Sequence, residues 1–188
     1  MDVATVARQV VLFLHTVSFA IALATVLKED FALARARRIN AHRLGGAART
    51  VTFALIALWG TGLALVAFEV GFDGSALLAD TKLAAKIFVV IALTLNGIAL
   101  HTLAFPILLG QKTQARFGLS MPVVLGAIST ASWLYASFIG VSRSMAPWMS
   151  FADYMALYGI SLVLAIVIAL TFVRPRVERL LMRSQEGD

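Results

Sequence analysis

Two of the three histidines in this 188-residue sequence lie inside long apolar segments, where an ionisable side chain is costly. His15 occurs in Leu-His-Thr-Val-Ser and His101 in Asn-Gly-Ile-Ala-Leu-His-Thr, whereas His42 belongs to a basic segment. Imidazole is a common axial ligand of haem iron, and the ring needs an apolar slot between helices. We therefore predict that His15 and His101 are metal ligands that bind one haem b from two facing helices.

Two further residues fit the same cofactor site. Gly97 precedes His101 by one helical turn, so it would leave room for a flat ring on the histidine face. Arg8 precedes His15 by nearly two turns, or about 10 Å, and a cation there could hold the haem propionates at the outer surface. The predicted cofactor site consists of His15, His101, Gly97 and Arg8, and no catalytic residue is predicted.

The depths of the two histidines decide whether they can share an iron. Counted from the inner ends of their helices, the depths differ by about 4–5 Å, which helix tilt can absorb. Counted from the outer charges Arg8 and Lys86, the depths differ by about 12 Å, which forbids a shared iron. Either end of the helices can serve as the reference for depth. The alternatives to a shared haem are that the histidines pack the bundle through interhelical hydrogen bonds, or that they serve a metal, quinone or proton-relay role.

The histidine-bearing segments belong to a chain with the composition of a membrane protein. Apolar residues make up 60% of the sequence and charged residues only 14%, against about 25% in soluble domains. Apolar stretches of about 20 residues, the length that crosses the hydrocarbon core, separate the charged clusters. We predict one all-α domain, an integral membrane bundle of five transmembrane helices. The expected spans are 10–27, 51–70, 83–109, 122–141 and 154–173, with a basic loop at 28–49 and a charged tail at 174–188.

Lys and Arg are distributed unevenly between the two sides of this bundle. Twelve of the sixteen fall on the side of the 28–49 loop and the tail, and four fall on the other side. Positive charge favours the cytoplasmic side, so we expect the N-terminus outside, the C-terminus in the cytoplasm, and a bacterial inner membrane. The loop would contact anionic lipid head groups, and Gly45-Gly46 would end any helix within it. No nucleic-acid partner is expected.

Other polar residues in the spans are expected to serve packing. Asn96 is predicted to bond a neighbouring helix. Glu69, at the outer end of the second span, is predicted to pair with Lys82 or Lys86. Trp148, Tyr154 and Tyr158 are typical of the outer interfacial belt, where amphipathic rings meet the head groups.

Several functions are disfavoured by what the sequence lacks. No acidic residue lies deep in a predicted span, which argues against an ion-coupled transporter or a proton pump. The absence of cysteine excludes disulfides, iron–sulfur clusters and c-type haem attachment. Neither His-Glu-x-x-His nor Gly-x-Ser-x-Gly occurs, which argues against a membrane protease.

The first 110 residues resemble small bacterial inner-membrane proteins of four to five spans. The resemblance is carried by His15, Lys28-Glu29-Asp30, Thr61-Gly62-Leu63, Lys86, Asn96-Gly97, His101 and Pro106. A looser resemblance is to membrane domains of the copper-resistance D type and to b-type cytochrome bundles, and it implies histidines on neighbouring helices.

These features together predict a membrane-embedded haem-b-binding protein that takes part in electron transfer. A quinone or a redox partner protein would exchange the electrons, and the chain could assemble as a homo- or hetero-oligomer. The alternative is a non-enzymatic accessory subunit of a membrane complex, or a small-solute permease. Whether the protein is an enzyme is left open.

Overall fold

The computed structural model describes residues 2–35, 41–108 and 120–185, and within these residues the regular secondary structure is entirely helical. The α-helices are Val3–Arg35, Ala41–Val70, Gly74–Ala79, Thr81–Ala99, Phe105–Leu108, Ser120–Val141, Phe151–Ile168 and Arg174–Gln185. Leu100–Ala104 and Ala169–Val173 are π-helical segments, and Ala146–Trp148 is a short 3-10 helix.

Five continuous helical segments are long and apolar enough to cross a membrane, and they are numbered here as spans 1 to 5. They are Val3–Leu33, His42–Val70, Thr81–Leu108, Ser120–Val141 and Phe151–Arg179. Hydrocarbon supplies no hydrogen-bond partners, so each span closes its backbone bonds within its own helix. The predicted all-α, five-span bundle is confirmed, and the chain is a multi-pass membrane protein in contact with the bilayer.

Part of the charge pattern falls on residues that the structure does not describe. Arg37, Arg38, Lys112 and Arg116 lie outside the described residues, as do the last three residues of the tail. The orientation of the termini therefore stays a prediction.

The first two helices extend further into the basic segment than the sequence suggests. The pair Gly45 and Gly46 lies inside the helix Ala41–Val70 and ends no helix. A glycine that ends a helix usually adopts positive φ. Among the described residues only Gly71 (58°) and Phe72 (62°) do so, and both lie in Gly71-Phe72-Asp73-Gly74, a sequence typical of a turn. The expected helix end at Gly45-Gly46 is therefore wrong, and the helix ends at Val70, just before this turn.

Both π-helical segments lie just before a proline. Leu100–Ala104 precedes Pro106, and Ala169–Val173 precedes Pro175. Proline has no N–H to donate to the carbonyl four residues back, so the helix widens locally and continues. Proline commonly ends or kinks a helix, but the Arg174-Pro175 pair interrupts only the regular α-helical pattern, and the helix runs on to Gln185.

Large aromatic side chains of spans 4 and 5 form the centre of the core. Trp133 and Tyr154 are almost fully buried. The Tyr135 hydroxyl donates to the Tyr154 carbonyl, and Ser132 shares a 2.7 Å hydrogen bond with the Tyr158 hydroxyl. The Tyr158 hydroxyl and the Tyr154 carbonyl are thus paired, whereas the buried Tyr154 hydroxyl has no hydrogen-bond partner among the described residues. Of the three residues expected in the interfacial belt, Trp148 is exposed, and Tyr154 and Tyr158 are buried inside the bundle.

The five spans divide into two groups. Spans 1 and 2 pack along each other as an antiparallel hairpin, while span 4 packs against spans 3 and 5. The hairpin packs more loosely against the other three spans, and a 5.5 Å ring contact between Phe19 and Trp133 is one of the contacts between the groups. The space between the two groups holds the candidate site.

The five-span fold with the observed charge bias gives a prediction of topology. A reporter that works only in the cytoplasm should be active when fused after Asp188 and inactive when inserted at Ser144, since one span, Phe151–Arg179, separates the two positions. A periplasmic reporter at the same two positions should give the reverse pattern. Activity of one reporter at both positions would contradict the fold.

Candidate cofactor-binding cavity

A cavity of about 680 Å³ lies between the span 1–2 hairpin and spans 3 and 4. This volume falls in the range of small-molecule and cofactor sites. Its walls are mostly apolar, and the residues that line it include Leu33, Leu55, Trp59, Leu93 and Trp133. The cavity can therefore take an apolar ligand with a few polar groups.

A glycine and one hydrogen bond between spans 2 and 3 border the cavity. A Cβ atom added to Gly97 would meet nothing within 4 Å. Across the cavity, the Trp59 indole donates a 3.0 Å hydrogen bond to the Thr94 hydroxyl, which itself donates to the Val90 carbonyl. The indole thus joins span 2 to span 3, and the space beside Gly97 is open.

His101 lies on the cavity wall in the π-helical segment of span 3. Its Nδ1 lies 2.9 Å from the Gly97 carbonyl oxygen. A carbonyl can only accept, so Nδ1 carries the proton, and Nε2 of the neutral ring carries the lone pair. An edge contact with Phe105, 5.1 Å between centroids, also holds the ring. His101 is thus oriented in the way that suits a metal-ligating imidazole.

His15 is half-buried between spans 1 and 2 and is not part of the cavity wall. Its Nδ1 lies 2.8 Å from the Thr61 hydroxyl, and that hydroxyl donates its one proton to the Ala57 carbonyl at 2.7 Å. Nδ1 of His15 must therefore be the donor. Gly62 lies beside the ring, since an added Cβ would be 3.5 Å from Cε1. The contacts of His15 are those of an interhelical packing residue.

The two histidines lie at different levels of the bundle. Thr61, the partner of His15, is two residues closer than Trp59 to the Val70 end of span 2, and Trp59 is bonded to Thr94 on span 3. His101 lies seven residues from Thr94 in the opposite direction. At 1.5 Å per residue the offset is about 13 Å. Metal–imidazole bonds are about 2 Å long, so the geometry argues against one iron shared by both histidines.

Arg8 lies at the far end of the hairpin from the cavity. Its guanidinium forms a 2.9 Å ion pair with Glu69, and both side chains are about half exposed. Glu69 therefore pairs with Arg8, and the expected pairing with Lys82 or Lys86 is wrong. Arg8 does not line the cavity, so it is not positioned to hold the propionates of a haem bound there.

Charged residues at the opposite end of the hairpin were not predicted as part of the site. Glu29, Asp30 and Arg43 line the cavity. Arg43 Nε donates to Glu29 at 3.2 Å, and Asp30 accepts a 2.5 Å hydrogen bond from the Thr130 hydroxyl of span 4. Glu29 and Asp30 follow the end of span 1 that the sequence predicts at residue 27. The helix instead continues past it, which turns both carboxylates toward their partners.

The remaining polar group predicted to pack the bundle does so. Asn96 donates to the Leu125 carbonyl at 3.1 Å and so joins span 3 to span 4, as expected.

Over residues 2–35, 41–108 and 120–185, no three His, Asp or Glu side chains converge in a way that could hold a metal ion. Comparisons of the chain with protein-family models, curated proteins and solved structures gave no significant match.

The hydrogen bond between His15 and Thr61 gives a prediction of stability. His15→Ala and Thr61→Val should each destabilise the bundle by about 0.6 kcal/mol, the average for an interhelical hydrogen bond in a membrane. The double variant should lose less than the sum, because the second change removes a partner that is already unpaired. Reversible unfolding in mixed micelles measures these losses. Fully additive losses would show that the two side chains do not interact.

Proposed function

We propose that the protein binds haem b in the cavity between the hairpin and spans 3 and 4, with His101 as the protein ligand of the iron. The observation that carries the proposal is the hydrogen bond from His101 Nδ1 to the Gly97 carbonyl, which leaves the lone pair on Nε2 of an imidazole that lines an apolar cavity. The bound haem would supply one-electron transfer. The protein would act in membrane electron transfer in a bacterial inner membrane, with a quinone or a redox protein as partner.

The residues of the cavity fit one haem with one histidine ligand. The volume suits a cofactor-sized ligand, and Gly97 leaves open space one turn before His101. The offset of about 13 Å supports a site without His15, which bonds Thr61 between spans 1 and 2. The proposal therefore differs from the expected bis-histidine site in its number of protein ligands.

The side chains around His101 would hold and tune the group. The Gly97 carbonyl fixes the tautomer and raises the basicity of the imidazole, as outer partners of metal-ligating histidines do. Phe105 restricts the ring by its edge contact. Trp59 and Trp133 on the cavity wall would exclude water, and a lower local dielectric shifts the reduction potential of a buried charge centre.

The second candidate is an accessory subunit without a cofactor. The observation that favours it is the pairing of polar side chains within the membrane. His15 bonds Thr61, Trp59 bonds Thr94, and Asn96 bonds a span 4 carbonyl. Side chains satisfied in this way are typical of residues that only pack helices.

Haem absorption in the purified protein separates the two candidates. The protein expressed with ample haem should show a Soret band, and His101→Ala should abolish it because the iron loses its protein ligand. His15→Ala should retain the band with at most a small loss of stability, and His42→Ala is the matched surface control. The Soret band is thus expected to be lost in His101→Ala and retained in His15→Ala and His42→Ala.

Other absorption results would overturn the proposal. A colourless parent protein would favour the accessory subunit. A Soret band that needs both His15 and His101 would restore the shared-iron prediction and contradict the geometry of the cavity.

A further inference from the structure

We infer that a cation cluster, formed by Lys82, Lys86 and Arg143, binds the phosphate of an anionic phospholipid at the end of the bundle opposite the basic segment 28–49. None of the three residues lines the cavity. The inference therefore goes beyond the proposed function, because the cluster holds a lipid head group whether or not the cavity holds haem.

The fold brings the three cations together from two spans. Lys82 and Lys86 are one helical turn apart on span 3, so they lie on one face of that helix. Arg143 lies two residues beyond the end of span 4. The Thr81 hydroxyl donates a 3.2 Å hydrogen bond to the Met149 carbonyl, which holds the loop after span 4 against the start of span 3. Lys82 is accordingly subject to electrostatic repulsion from both Lys86 and Arg143.

No described carboxylate is paired with the cluster. The ion pairs among the described residues involve other cations, namely Arg8, Arg43 and Arg174. The acidic residues at this end of the bundle have partners elsewhere: Glu69 pairs with Arg8, and Asp2, Asp73, Asp80 and Asp153 accept backbone hydrogen bonds at the starts of helices. Of these carboxylates, Asp80 is the one that attracts Lys82, so the local balance is three cations to one carboxylate.

Repulsion within the cluster favours a bound anion. Like charges one turn apart destabilise a helix, and a cation within a membrane span is costly. Lys86 lies inside span 3, one turn deeper than Lys82, where hydrocarbon limits the water that screens charge. An anion between the three side chains reduces both costs.

The surroundings favour a lipid phosphate over a soluble anion. The cluster lies where span 3 begins and span 4 ends, at the level of the head groups. Trp148, on the same loop as Arg143, is 87% exposed, and indole rings collect at this level. Val141, which is 81% exposed, offers apolar surface just inside Arg143. A phospholipid contacts the cations with its phosphate and the apolar surface with its acyl chains, which a soluble phosphate cannot do.

A fluorophore beside the cluster tests the inference. The chain contains no cysteine, so Ser144→Cys provides one labelling site next to Arg143. In phosphatidylcholine vesicles, nitroxide-labelled phosphatidylglycerol should quench this label with an affinity at least about fivefold higher than nitroxide-labelled phosphatidylcholine does, since each surface cation attracts anionic lipid. The preference should fall as the salt concentration rises, because salt screens the charges.

Variants that change charge locate the preference. Lys82→Gln, Lys86→Gln and Arg143→Gln together should abolish it, and Lys86→Gln alone should reduce it. Lys86→Arg should retain it, since a guanidinium also binds phosphate. The matched control should retain it too, although it removes three cations from the other end of the bundle: Arg174, Arg176 and Arg179, each changed to Gln.

Three results would overturn the inference. Equal quenching by the two lipids in the parent protein would show that the cluster does not select anionic lipid. An equal loss of preference in the matched control would trace it to net charge and not to the cluster. Displacement of labelled phosphatidylglycerol by inorganic phosphate, but not by chloride at the same ionic strength, would assign the site to a soluble anion. No haem enters the experiment, so its result is independent of the haem proposal.

Discussion

The rest of the structure depends on the absence of water from the hydrocarbon core. Every backbone N–H and C=O in the core must be paired within the protein, so the chain crosses the membrane as helices and keeps them continuous even near proline. At Pro106 and Pro175 the helices widen into π-helical segments instead of ending. One of these segments carries His101. The same constraint on the backbone thus shapes the site.

Polar side chains obey the same constraint, and their pairing determines how the two groups of helices meet. His15 and Thr61 join the two helices of the hairpin. The bonds from Trp59 to Thr94 and from Thr130 to Asp30 join the hairpin to spans 3 and 4. Between these two connections the helices stand apart and the cavity remains. Its apolar walls, its imidazole and its charged end follow from where the connections lie.

The fold could be predicted because hydropathy over about 20 residues determines which segments cross a membrane. The site could be predicted only in part. His101 and Gly97 are adjacent on one helix, so their relation follows from helix geometry. The partner of His15 depends on how two helices pack side by side, which no periodicity in one sequence reveals. Arg43 and Asp30 were missed for a related reason, because a charged residue after an apolar run marks the end of a span as readily as the wall of a cavity.

The central claim is that a cavity with one histidine ligand, and not a pair of histidines, is the functional site. Electron paramagnetic resonance of the oxidised, haem-loaded protein tests this claim most directly, because the spin state of ferric haem reports its axial ligands. The account predicts a high-spin signal from the parent protein, unchanged in His15→Ala. A low-spin bis-histidine signal that His15→Ala converts to high-spin would contradict it.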